Sequence, residues 1–411
     1  SWLEAQDAPP EDTQTIYPFG DDAIGLGDGA YEVCIKPDPL NPTLNPKIYT
    51  IVSEASVGDH ARCVEVDISP ALFSDFLYFT DREHEPGGGN PLWFISPDVV
   101  DGPLFTNDQI SIMGNPTFIG SVSSAWGGPD DGVASHEPQF LYYNGDEHDH
   151  IESAAADNAP HDNPTFGDGY ALGDTEVEYP THALAFDLKG LAQDGGISVA
   201  GTYDIELGRT DEVTGEILTG YVSYRKAGKE LWNDVPIDSF NGVFYVNGSF
   251  SVSGVVDGQL TLVTNGSVFI DGDITYAASD ANGPTEDCDD LLGIIAGTDI
   301  NVEWNEANSN DCVIHAAMMG LDNCFRADSW NVGDPRGTLT VWGSIIQSYR
   351  GSVGTGYLME DGSIVILTGY EKDYHYDWRL QDQAPPGFYR FMGTGTYERL
   401  SWREVTPNAG S

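Results

Sequence analysis

The feature that most limits the fold of this chain is a recurring unit of two short apolar strands divided by a glycine. It is clearest in Phe244-Tyr245-Val246-Asn247-Gly248-Ser249-Phe250 and in Leu262-Val263-Thr264-Asn265-Gly266-Ser267-Val268-Phe269-Ile270. It returns at 294–300 around Gly297, at 314–320 and at 340–346 around Gly343. The spacing is roughly 20–30 residues, near the length of one turn of a β-solenoid. In such a turn alternate side chains point inward, Gly or Asn supplies the corner, and neighbouring turns stack to bury a shared core. An antiparallel sandwich would need matched arms around two-residue Asn-Gly hairpins, and few are present. The reading is therefore a mainly β protein: a small N-terminal β-rich module with a short helix, then a right-handed parallel β-helix carrying an inserted β-hairpin region.

The chain divides accordingly. Residues 1–16 are polar and extended. Residues 17–90 form the N-terminal module, with β alternation in Tyr31, Val33 and Ile35, in Ile48, Thr50 and Val52, and in Cys63, Val64, Val66 and Ile68. Ser69-Pro70 ahead of Ala71, Leu72, Phe73, Phe76, Leu77 and Phe79 has the start signal and spacing of a helix packed on that sheet. Residues 91–125 read as first solenoid turns, and 126–240 as an acidic insertion in which Asp211-Glu212-Val213-Thr214-Gly215 turns a hairpin. Residues 241–350 are the main solenoid. Residues 351–411, aromatic and Pro-rich, would cap its open end, where strand edges are otherwise unpaired.

With 411 residues, 40% hydrophobic and 11% aromatic, the chain can bury a large core. Its 66 acidic and 17 basic residues give a formal charge of −49, which excludes nucleic acid and anionic membrane as partners. Self-repulsion of that size calls for high salt, where the Debye length falls to about 3 Å at 1 M, or for bound divalent cations. No stretch approaches the apolar length of a membrane span. The five cysteines, Cys34, Cys63, Cys288, Cys312 and Cys324, lack zinc-site spacing. They read as disulfide candidates in an oxidising, extracellular setting, with one thiol left over.

Several stretches together resemble an uncharacterised bacterial surface-protein family linked to type IV pilus-like (PilX-like, prepilin-type) export. In the first half they are Phe79-Thr80-Asp81 with Glu83, Asp98-Val99-Val100-Asp101-Gly102-Pro103, Thr106-Asn107-Asp108 and Gly114-Asn115-Pro116-Thr117-Phe118. In the second they are 291–296, Gly343-Ser344-Ile345-Ile346-Gln347 with Arg350-Gly351, Gly369-Tyr370-Glu371-Lys372, Tyr376-Asp377-Trp378-Arg379 and Pro385-Pro386-Gly387-Phe388. The resemblance covers most of 29–390. It implies a prepilin-like extracellular protein that self-associates, and it brings no catalytic residues. It also implies a hydrophobic export helix; the chain begins Ser1-Trp2-Leu3-Glu4, so such a helix was removed or lies outside this sequence.

Enzyme signatures are missing: no GxSxG elbow, no HExxH and no phosphate-binding GxxxxGK[ST]. The sharpest polar cluster is Asp146-Glu147-His148-Asp149-His150, whose imidazoles and carboxylates suit a metal ion but also suit a solvated acidic loop. Calcium is the ion that tight acidic turns such as Asp271-Gly272-Asp273, or Asp98 with Asp101, would take. No cofactor is required by the sequence. A glycan-active solenoid would use Asp271, Asp273 and Asp299 from adjacent turns as its acids. A carbohydrate-binding adhesin would use Trp330, Trp342, Tyr374, Tyr376 and Trp378. The reading that joins these signs is a non-enzymatic, extracellular structural or adhesive surface protein. It would be the subunit of a filament or surface layer, with glycan binding or degradation as the alternative.

Overall fold

A computed structural model describes residues 15–20, 22–37, 49–70, 73–88, 90–128, 132–133, 135–146, 149–158, 161–180, 184–359, 363–388 and 397–405. The chain is mainly β and forms two compact units, residues 1–73 with 389–411 and residues 74–388.

The smaller unit is an antiparallel sheet of five strands: Ile24–Leu26, Gly29–Pro37, Tyr49–Val57, His60–Pro70 and Tyr397–Val405. Alternation puts Ile35, Ile51 and Val66 side by side on one face, with Tyr49 and Ile68 in the next row. Ile35, Tyr49 and Ile68 make its buried core. The alternating runs of 29–69 thus form the small β module expected of them. The chain's last strand also belongs here, paired with His60–Pro70 from Glu398 opposite Ser69 to Val405 opposite Cys63.

The larger unit is built from long parallel ladders. In one, ten described strands follow each other: Ile197–Ala200, Val243–Asn247, Gln259–Thr264, Leu291–Ala296, Cys312–Gly320, Pro335–Tyr349, Tyr78–Arg82, Leu104–Thr106, Val122–Ser124 and Tyr170–Leu172. A second joins Tyr203–Leu207, Phe250–Val256, Val268–Tyr276, Ile300–Val302 and Phe325–Ala327. A third runs from Cys312–Gly320 through Pro335–Tyr349, Ile364–Tyr376, Val99–Asp101 and Thr117–Phe118 to Thr165–Phe166. The recurring glycines sit where turns cross closely. A Cβ on Gly248 would lie 2.1 Å from the Gly201 carbonyl oxygen, and one on Gly266 would lie 2.3 Å from that of Gly248.

Stacking order is not chain order. The chain enters mid-stack at Tyr78 and climbs to Tyr170–Leu172 at one end. It re-enters at Ile197 at the other end and climbs back until Pro335–Tyr349 meets Tyr78–Arg82. The stretches 91–125 and 241–350, read as one run paused by an insertion, lie in one stack, with a seam where late strands pair with early ones.

The acidic stretch before residue 197 therefore does not interrupt the stack; part of it covers the stack lengthwise. Asp174 N donates to Ser124 O at 2.9 Å, Val177 exchanges two bonds with the Asn107 amide, and the Tyr179 hydroxyl donates to Gly320 O at 2.8 Å. The helix Leu184–Gln193 follows, with the Lys189 ammonium 5.9 Å from the Tyr245 ring centroid. Beneath this cover lies the row Tyr245, Val263, Ile295, Met319, Ile346, Phe79 and Phe105. The neighbouring row Phe244, Leu262, Ile294, Met318, Ile345, Tyr78 and Leu104 is buried as well. A ladder buried on both sides reads as an unbroken apolar run.

This explains two departures from the sequence reading. Where a helix was expected after Pro70, the described residues form only a single 3-10 turn, Phe73–Asp75, followed by the strand Tyr78–Arg82; Ala71 and Leu72 lie outside the described residues. Apolar residues on both sides of a covered strand imitate helical spacing. The tail expected to cap the stack is instead divided. Ile364–Tyr376 lies within the stack, and Tyr397–Val405 completes the smaller sheet.

Candidate functional site

The densest polar chemistry of the larger unit lies at the seam. Backbone pairing sets Ile345 opposite Tyr78 and Gln347 opposite Thr80 on one ladder, and Tyr374 opposite Val100 on another. Late residues then reach early ones through side chains. Arg350 Nη1 lies 2.8 Å from Glu83 Oε2, and both side chains are almost fully buried, at 3% and 2% exposed. The same guanidinium donates to Leu92 O at 2.9 Å and Trp93 O at 3.1 Å, and stands 3.7 Å from the Phe94 ring centroid. Five donors in a rigid fork make arginine the cation that can satisfy so many partners at once. Lys372 Nζ bonds Asp98 Oδ2 at 2.7 Å, and that oxygen also accepts from Ile95 N. Gln347 Nε2 donates to the Tyr78 hydroxyl at 2.7 Å while its Oε1 accepts from Phe325 N at 3.0 Å. The Tyr376 hydroxyl donates to Ser74 O at 2.7 Å.

Burial dominates the electrostatics. It pushes the Glu83 carboxyl above its ordinary range, with the Arg350 charge opposing, and it pushes the Lys372 ammonium down, with Asp98 opposing. Burial also raises the Tyr78 and Tyr374 phenols. Perturbed groups in a cleft would suggest catalysis. Here the space between Tyr78, Phe94, Asp98, Gln347, Arg350 and Lys372 is about 10 Å³, room for about one water and no substrate. The cluster is a clasp.

At its rim His375 sits between two carboxylates, Nδ1 3.2 Å from Asp101 Oδ2 and Nε2 2.9 Å from Asp373 Oδ1, with its ring stacked on Trp342 at 4.2 Å. A second clasp lies nearby. Arg379 pairs with Asp377 at 2.6 Å, donates to Cys288 O and Asp290 O, and lies over the Tyr276 ring.

The residues singled out from sequence are scattered. Asp146 and Asp149 flank a hairpin between Phe140–Asp146 and Asp149–Ser153; Glu147 and His148 lie outside the described residues, and the His150 ring packs 5.1 Å from that of Trp93. Among the described residues no group of three or more His, Cys, Asp or Glu side chains is arranged to hold a metal ion. Asp98 and Asp101 are engaged at the seam. Asp273 accepts from Val313 N at 2.9 Å, and Asp299 serves Asn323, Cys324 and Arg326. The Asp271 carboxyl is pushed up by burial and by Asp204. Of the aromatic residues, Tyr374 and Tyr376 are buried, Trp342 is stacked, Trp330 is half-buried and Trp378 is half exposed. All five cysteines are free thiols. Cys288 and Cys324 face different carboxylates, Asp290 and Asp299, while Cys312 stands opposite Leu339 in the ladder.

What sequence reasoning missed was the clasp. Glu83, Asp98, Gln347, Arg350 and Lys372 all fall in the stretches that carry the family resemblance, so that pattern held the signal, but nothing local told which stretches meet.

Known proteins add the following. A family model described only as a domain of unknown function, DUF4900, matches residues 48–126, a span that contains Glu83, Asp98 and Asp101 from the early side of the seam. Among solved structures, the competence-associated pilin ComZ from Thermus thermophilus aligns over 95% of this chain and 87% of its own, at 12% identity and a TM-score of 0.36. So loose a superposition carries no argument about this chain. No curated protein matches it. No helix among the described residues is long and apolar enough to cross a membrane.

Proposed function

We propose that this chain is a non-enzymatic structural protein of the cell surface, and that its larger unit is a right-handed parallel β-helix. That hand is the one that parallel strand connections adopt almost without exception. On this reading the protein is the subunit of an extracellular filament or surface layer. The observation that carries it is the clasp: the buried pairs Arg350–Glu83 and Lys372–Asp98 join two halves of one stack, around a space too small for a ligand. The acidity keeps such a subunit soluble and repels unrelated surfaces.

A second reading, glycan degradation, draws on Asp271 and Glu303. Burial raises both carboxyls and each feels the other's neighbourhood of acids, as a general acid would require. Imaging of native material at high and low salt, with and without a calcium chelator, tests the structural reading. Ordered polymers support it, and monomers under every condition would sink it. The chelator arm tests calcium at tight acidic turns such as Asp271-Gly272-Asp273. Turnover of an acidic or neutral polysaccharide, abolished by Asp271→Asn, would favour the enzyme instead.

A further inference from the structure

The two ends of the stack differ in a way that fits them to each other. At one end the strand Ile197–Ala200 has a described partner on one side alone, Val243–Asn247. Gly201 N donates to Asn247 O at 3.0 Å, so by alternation the backbone groups of Ser198 and Ala200 point away from the stack. Beside this edge the hairpin of Tyr221–Lys226 and Asn233–Pro236 extends the adjoining ladder by two antiparallel strands. The hairpin and Tyr203 enclose an open cleft of about 600 Å³ lined by Tyr203, Tyr224, Lys226, Lys229, Glu230, Leu231 and Asn233. Leu231 is 80% exposed. Lys226 lies at the corner after the edge strand, its Cε 3.4 Å from where a Cβ on Gly201 would stand. With Lys189 on the helix, three of the larger unit's four lysines gather at this end; the fourth, Lys372, is held in the clasp.

The opposite end has the complementary character. Tyr170–Leu172 and Thr165–Phe166 are paired on one side alone among the described residues. Tyr170 and Ile119 stand exposed there, and Asp168 and Asp174 flank the edge strand. From Glu83 to Leu172, the stretch that leads into this end, the chain has no lysine or arginine. Neither edge strand carries a charge, although exposed edges are ordinarily blunted by one.

We infer that the lysine-lined cleft is a socket for a second copy of this chain, which docks through its acidic end, so that copies join head to tail. Tyr170 and Ile119 supply the apolar contact against Tyr203, Tyr224 and Leu231, while Asp168 and Asp174 meet Lys226 and Lys229. Two unlike surfaces on one molecule make a heterologous contact, which propagates rather than closing into a pair. This inference rests on the filament reading and specifies its contact.

Two charge-reversed full-length variants test it, followed by sedimentation velocity. K226E with K229E reverses the socket; D168K with D174K reverses the acidic end. Each variant alone is expected to need about tenfold or more higher concentration for half-assembly than the unaltered chain. Mixed together, they present two complementary pairs, the unaltered acidic end against the unaltered socket and the lysine-bearing end against the glutamate-bearing socket, and are expected to regain assembly as alternating copies. All four positions are exposed or at a loop, and circular dichroism of each variant controls for folding. Assembly of both variants at unaltered strength would overturn the socket while leaving the filament reading intact, with another contact responsible. An unaltered chain that stays monomeric would overturn both.

Discussion

At the residue scale, the buried ions of the seam set the largest single-site effects. Removing one partner of a buried pair leaves the other desolvated and uncompensated, which typically costs about 3–5 kcal/mol, whereas replacing both with apolar residues is often neutral. Arg350→Met is therefore expected to lower the denaturant midpoint strongly, and the double variant Glu83→Leu with Arg350→Met to recover most of the loss. If the double variant is as unstable as the single one, the pair is not an isolated ionic clasp. His315 is a second case. It is 2% exposed, its Nδ1 accepts from Tyr276 N at 3.1 Å, and burial pushes its pKa down from 6.5 to about 4. A histidine held neutral by the fold stabilises it fully above pH 6.5. The contribution, about 3 kcal/mol, is lost as pH falls from about 6.5 through about 4. His315→Asn keeps the acceptor without the titration. It is expected to flatten the fall of stability between those pH values, as read from urea unfolding. An unchanged pH profile would show that His315 does not titrate on unfolding.

At the element scale, the covering segment is held by few but specific bonds. The Asn107 amide both donates to Val177 O at 2.7 Å and accepts from Val177 N at 2.9 Å. Asn107→Ala is expected to cost about 1–3 kcal/mol through the unpaired groups left behind. Faster hydrogen exchange should be confined to 174–180 and the strands beneath it. The same segment shows what was legible in the sequence and what was not. The antiparallel strands of 29–69, the glycine-divided pairs of 244–270 and the hairpin around Asp211 were readable, because period-two alternation and turn residues are local signals. The pairing of Ile346 with Phe79, or of Tyr397–Val405 with His60–Pro70, was not, because nothing near those residues encodes a partner some three hundred positions away. The seam ions were hidden for the same reason. Arg350 and Lys372 looked like rare bases near the end of a solenoid, and only the fold puts Glu83 and Asp98 beside them.

At the scale of the whole molecule, the charge of −49 must be carried by a stack whose ladders hold few bases. Exposed charges repel over about a Debye length, roughly 10 Å at 0.1 M salt and 3 Å at 1 M, whereas the seam pairs are buried and feel salt far less. Thermal unfolding is therefore expected to move to higher temperature as sodium chloride rises from 0.1 to about 1 M. A falling unfolding temperature over that range would mean that surface ion pairs outweigh the repulsion. The structural reading depends above all on the early and late strands forming one stack. Native-state hydrogen exchange on the full chain measures this at two amides, Ile345 N bonded to Leu77 O at 2.7 Å and Arg350 N bonded to Arg82 O at 2.8 Å. The expected result is protection at both equal to that of Val263 and Ile295 inside the late ladder. Exchange at the seam far faster than within the ladders on either side would contradict a single clasped stack.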